Sequence, residues 1–99
     1  MREITWQEIY DWIDKLDKTK TYYGVPRGGS VFAGLTGKAV MNPEEADIII
    51  DDLIDSGRTL ARYEKYNKPF IAFIDKRESN GNEWIVFPYE KREEESRRN

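Results

Sequence analysis

The stretch Ile48-Ile49-Ile50-Asp51-Asp52-Leu53-Ile54-Asp55-Ser56-Gly57-Arg58-Thr59-Leu60 constrains the fold more than any other part of the chain. Three consecutive β-branched apolar residues suit a strand buried on both faces, the usual condition of a parallel strand. Two carboxylates stand where that strand is expected to end, and Asp-Ser-Gly-Arg-Thr then turns the chain into a helix. In an open α/β sheet, ligands bind at the carboxyl ends of the strands. A turn rich in backbone N–H groups, Ser and Thr at a helix start suits a phosphate dianion. Paired Asp residues beside it suit sugar hydroxyls or a divalent cation. Two other nucleotide-binding classes fail on their motifs. A P-loop NTPase needs G-x-x-x-x-G-K-[ST], but around Gly37-Lys38 the first Gly is replaced by Phe32 and the Ser/Thr by Ala39. A dinucleotide-binding G-x-G-x-x-G is absent.

The rest of the chain supplies the alternation that an α/β fold needs. Thr5-Trp6-Gln7-Glu8 reads as a capping box, and Trp6, Ile9, Ile13 and Leu16 follow at helical spacing. This predicts an amphipathic helix over 5–18, with Trp6 and Trp12 as packing residues. Tyr22-Tyr23-Gly24-Val25 is a first strand, leading into Pro26-Arg27-Gly28-Gly29-Ser30. Only a short helix is expected over 31–35, because Gly34 and Gly37 interrupt it. Ala39-Val40-Met41 is a weak strand, and Asn42-Pro43-Glu44-Glu45 reads as one capped turn. A helix over 57–66 is stopped by Asn67-Lys68-Pro69. Phe70 to Ile74 is another buried strand, Ser79 to Asn82 a turn, and Trp84 to Phe87 a last strand-like run. The expected fold is a mainly parallel sheet of four or five strands flanked by helices. Residues 1–90 form its single domain, and 91–99 a charged, solvated tail.

Composition narrows the chemistry. The 99 residues include no Cys and no His, so thiolate chemistry is excluded and proton transfer falls to carboxylate, Lys, Tyr or substrate. A net charge of −3 with both signs interspersed argues against nucleic-acid binding. Met1-Arg2-Glu3 leads directly into the amphipathic segment and no long apolar run occurs. No signal peptide and no membrane partner are therefore expected, and the chain reads as cytoplasmic.

The central stretch resembles the 5-phosphoribosyl-1-diphosphate (PRPP) signature of type I phosphoribosyltransferases: an apolar strand, Asp-Asp, two apolar residues, Asp, then Ser/Thr-Gly-x-Thr. Pro26-Arg27-Gly28-Gly29, upstream of it, resembles the pyrophosphate loop of that family, which in many members carries a cis peptide; the corresponding bond here is Pro26–Arg27. Lys76, at the end of the strand over 70–74, matches a Lys that holds the exocyclic oxygen of a 6-oxopurine. Trp84-Ile85-Val86-Phe87-Pro88-Tyr89 resembles the Trp-Ile-x-x-Pro-Trp segment of xanthine–guanine phosphoribosyltransferases, with Tyr89 in place of the second Trp. The resemblance covers most of residues 3–90.

It implies transfer of the phosphoribosyl group from PRPP to guanine, xanthine or hypoxanthine, in a Mg²⁺-dependent purine salvage reaction. Asp55, Ser56, Gly57, Arg58 and Thr59 would cradle the 5-phosphate, and Asp51 and Asp52 would face the ribose hydroxyls directly or through Mg²⁺. Pro26, Arg27, Gly28 and Gly29 would hold pyrophosphate, Lys76, Trp84 and Ile85 the base, and Asp55 would be the catalytic base. One departure is large. The family carries a long flexible covering segment between its second and third strands, whereas about ten residues separate Lys38 from Ile48 here. This miniature form leaves an alternative open: a catalytically weak PRPP- or nucleotide-binding module that senses or sequesters nucleotides or acts through a partner. An RNA-binding relative would need a basic surface that the sequence does not show. A chain this small buries only ~65% of its unfolded surface, and family members assemble, so a homo-oligomer is expected.

Overall fold

Every strand pair is parallel in the computed structural model, which describes residues 1–78 and 83–90. The elements run β1 (Arg2–Glu3), α1 (Trp6–Asp14), β2 (Tyr22–Gly24), α2 (Gly28–Thr36), β3 (Ile48–Ile54), α3 (Arg58–Tyr63), β4 (Phe70–Asp75) and β5 (Ile85–Val86). Single 3₁₀ turns lie at Pro43–Glu45 and Glu64–Tyr66. The expected turn over 79–82 and the charged tail over 91–99 lie outside the described residues.

The α/β class holds, but a single sheet of four or five strands does not form among the described residues. The strands divide into a central sheet, β2-β3-β4, and a separate pair, β1-β5. Two features account for the division, one local and one long-range. Ala39 makes only one bridge to Tyr22, because Asn42-Pro43 turns the chain at once and proline has no N–H to extend a ladder. The final strand pairs instead with the N-terminus: Arg2 N–H donates to Trp84 O and Ile4 N–H to Val86 O, both at 2.8 Å. Buried Ile4 and Phe87 then anchor this pair to the main core.

That core lies on one face of the central sheet, where Ile9, Ile13, Tyr22, Phe32, Ala33 and Ile50 pack together. The capping box forms as expected, with Thr5 Oγ1 accepting the Glu8 N–H at 3.1 Å and Glu8 Oε1 accepting the Thr5 N–H at 3.2 Å. Trp12 is indeed a packing residue, edge-on to Phe32 at 5.9 Å and Phe73 at 5.5 Å. The helix stops at Asp14, short of the expected 18. Beyond it the chain is pinned by Tyr22, whose hydroxyl donates to Asp17 O at 2.7 Å.

Helix α2 is longer than its glycines suggest. Burial of Phe32 and Ala33 outweighs the weak helix preference of Gly34, which faces open space. Gly37, at φ 72°, ends the helix in the left-handed conformation that glycine adopts without strain. On the opposite face of the sheet, Tyr63 sits among Tyr23, Tyr66 and Phe70 at 5.8–6.3 Å. Among the described residues no helix is long and apolar enough to cross a membrane.

Candidate functional site

The register of the central sheet builds the site. Gly24 pairs with Ile50, and Val25 N–H donates to Ile50 O at 2.9 Å, so the chain leaving β2 runs beside Asp51 and Asp52. The Pro26–Arg27 peptide is cis, and α2 starts directly afterwards, pressed against β3. A Cβ on Gly29 would stand 2.6 Å from Ile50 O and 3.1 Å from Asp51 Cα, and a Cβ on Gly28 would overlap the Asp52 carboxylate. Both glycines therefore serve close approach of helix to strand.

Strand β3 continues through the two carboxylates to Ile54, past the end expected for it. Its partner β4 keeps pairing, with Asp51 opposite Ala72, Leu53 opposite Ile74 and Ile54 opposite Asp75. Asp51 is 6% exposed, and its Oδ1 accepts the Asp52 N–H at 2.8 Å. Burial first, and then the adjoining Asp52, push its carboxyl up to about 7. Asp52 is half-buried and accepts a hydrogen bond at Oδ2 from the Tyr89 hydroxyl at 2.7 Å. A cleft of about 420 Å³ opens there, lined by Arg27, Gly28, Val31, Asp52, Tyr89 and Glu90.

The second part of the site follows β3. Residues 53–60 enclose a hollow of about 100 Å³, room for a small anion or a few waters. Gly57 takes φ 89°, and Ser56 Oγ accepts the Arg58 N–H at 3.4 Å, so the turn closes immediately before α3. Arg77 lies alongside, its Nη1 3.8 Å from the position a Gly57 Cβ would take, while it forks onto Asp75 at 3.0 and 2.8 Å. Lys76 leaves β4 at the same sheet end, its N–H donating to Ile54 O at 2.8 Å.

One edge of the central sheet thus gathers Arg27, Gly28 and Asp52 around a cleft and Asp55 to Thr59 around a hollow, with Lys76 beside them. Six sequence candidates, Pro26, Gly29, Asp51, Lys76, Trp84 and Ile85, line neither space. Asp51 is buried behind the two spaces, Trp84 is 71% exposed at the start of β5, and Ile85 packs partly on the core. The backbone N–H and C=O of Ile85 point away from β1, since β1 bonds Trp84 and Val86 on either side of it. Sequence reasoning gave no site role to Tyr89, Glu90, Val31 or Arg77. A signal for Tyr89 did exist: it is the aromatic residue that directly follows Pro88.

The donors present fit a magnesium ion of one particular kind. Mg²⁺ is commonly held by one or two carboxylates together with substrate phosphates and waters. Asp52 on the cleft wall could serve so, whereas Asp51 is buried and holds its proton near neutrality. No cluster of three or more His, Cys, Asp or Glu residues suited to a metal occurs among the described residues. The fit is to an ion arriving with a phosphorylated ligand. No protein-family model and no curated protein matches this chain.

Proposed function

We propose that this chain binds PRPP at the carboxyl edge of its central sheet and transfers the 5-phosphoribosyl group to a 6-oxopurine, releasing pyrophosphate. One observation supports this above the others: the glycine-led turn after β2, the Asp52 carboxylate and the 55–59 hollow meet at one sheet end. An anion loop, a sugar-hydroxyl acceptor and a phosphate-sized cradle are the three parts that a phosphoribosyl ligand requires.

In this reading the amides of 55–59 with the Ser56 and Thr59 hydroxyls take the 5-phosphate. Asp52 accepts from the ribose hydroxyls, with Asp51 behind it. Arg27 and the Gly28 and Gly29 amides take the pyrophosphate. The bond from the sugar carbon to pyrophosphate breaks, with the electron pair leaving on pyrophosphate. A purine ring nitrogen forms the new bond to that carbon, and its proton passes to Asp55. The resemblance gives the base to Lys76, Trp84 and Ile85, although Ile85 belongs to the separate β1-β5 pair and neither Trp84 nor Ile85 lines the cleft. With a net charge of −3 the chain does not attract a polyanion at long range, so magnesium accompanying the pyrophosphate would supply the missing positive charge. Rate enhancement rests on orientation and on stabilising the leaving group.

A second reading, a nucleotide-binding module with little turnover, is favoured by the short link between α2 and β3. That link holds one β-bridge and one 3₁₀ turn and provides nothing to fold over the site. Self-association would offer a cover. Strand β4 is half-buried at all six positions and has no second strand partner among the described residues, which suits contact with another copy.

Thermal denaturation with PRPP and Mg²⁺ tests the proposal. A ligand at a hundred times its dissociation constant adds about 2.7 kcal/mol, or on the order of 10 °C in Tm for a domain of this size. No shift with PRPP or with a purine nucleoside monophosphate refutes both readings.

A further inference from the structure

Tyr89 has no place in the phosphoribosyl reading above, yet it makes a side-chain contact that joins three parts of the chain. Its hydroxyl donates to Asp52 Oδ2 at 2.7 Å across 37 residues of sequence. The ring is held on both sides. It stacks on Phe87 at 5.4 Å and 9°, and meets Trp6 at 6.1 Å. The turn that carries it is closed reciprocally, with Phe87 N–H donating to Glu90 Oε2 at 3.2 Å and Glu90 N–H to Phe87 O at 3.1 Å. Phe87 itself is 2% exposed and anchors the turn in the core. Beneath the contact lies Gly28, where a Cβ would overlap the carboxylate and stand 3.0 Å from the Tyr89 hydroxyl.

We infer that Tyr89 is a positioning residue, fixing the Asp52 carboxylate on the cleft wall so that it selects ligands carrying a vicinal sugar diol. A carboxylate without a partner rotates towards solvent. One held by a charge-assisted bond from a locked ring keeps a single orientation. The choice of ligand rests on the phosphoribosyl reading; the hold on Asp52 does not.

The test uses Tyr89→Phe, which keeps the stacked ring and removes only the donor. Binding of ribose 5-phosphate, 2-deoxyribose 5-phosphate and inorganic pyrophosphate is measured calorimetrically with EDTA in place of Mg²⁺, so that no metal links Asp52 to a phosphate. Ribose 5-phosphate is expected to weaken about tenfold, the size of one hydrogen bond to a charged group. The deoxy sugar should weaken less, and pyrophosphate should stay within about twofold. An equal loss for all three ligands, which a merely structural role would give, overturns the inference, as does no loss at all. A ligand-free cycle decides separately. Tyr89→Phe should lower Tm in the wild-type background and leave it unchanged in Asp52→Ala. Equal drops in both backgrounds overturn the hold on Asp52. Failure of the wild type to bind any of the three ligands refutes the phosphoribosyl reading alone.

Discussion

Replacing Gly29 with alanine probes the close approach on which the whole site depends. The new Cβ would lie 2.6 Å from Ile50 O and 3.1 Å from Asp51 Cα. Both obstacles are backbone of the central strand, so no side chain can swing aside. Forcing a methyl into such a contact costs about 1–3 kcal/mol, and the upper end applies because α2 or β3 must move bodily. Alanine in a helix returns at most about 1 kcal/mol. The net expectation is about 2 kcal/mol of destabilisation, roughly a 10 °C fall in Tm. Gly34→Ala in the same helix is the control. Nothing stands within 4 Å of that Cβ, so the helix gains about 0.5–1 kcal/mol and Tm rises by about 5 °C. Melting curves of both variants by circular dichroism decide. Equal tolerance at 29 and 34 would show that α2 does not press against β3, and the cleft geometry would fall with it.

Two other predictions follow from charge. In the folded protein the Asp51 carboxyl is raised to about 7 from 3.8. Its contribution to stability is therefore complete below about pH 4 and declines as pH rises towards about 7. Asp51→Asn should flatten that decline in urea melts between those limits, and an unchanged slope would contradict the assignment. In the phosphoribosyl reading Arg27→Ala should weaken pyrophosphate and PRPP severalfold while sparing a nucleoside monophosphate, because the 55–59 hollow stays whole. Equal loss for all three ligands would remove Arg27 from the pyrophosphate role.

Local patterns were legible where short-range chemistry decides them. The Thr5/Glu8 capping box, the 3₁₀ turn after Asn42 and the central apolar strands are each written within a few residues. Partition of the strands was not legible, since pairing of β5 with Arg2 and Glu3 is a contact between chain ends that no local pattern records. The length of α2 was underestimated because propensity counted Gly34 against it, whereas burial of Phe32 and Ala33 prevails. Reading the Asp pair as the strand terminus failed for a related reason: the ladder to β4 extends through it. The sequence grouped Asp51 with Asp52 as equals, but side chains alternate along a strand. One carboxylate is therefore buried and the other lines the cleft. Tyr89 was missed as a partner of Asp52 because the two meet only once the chain is folded.

Pyrophosphate release in the presence of PRPP, Mg²⁺ and each purine base in turn decides whether this chain transfers a phosphoribosyl group. Release is expected to depend on guanine, xanthine or hypoxanthine and to be matched mole for mole by the nucleoside monophosphate. Absence of base-dependent release, together with no detectable binding of PRPP, would contradict the phosphoribosyl reading.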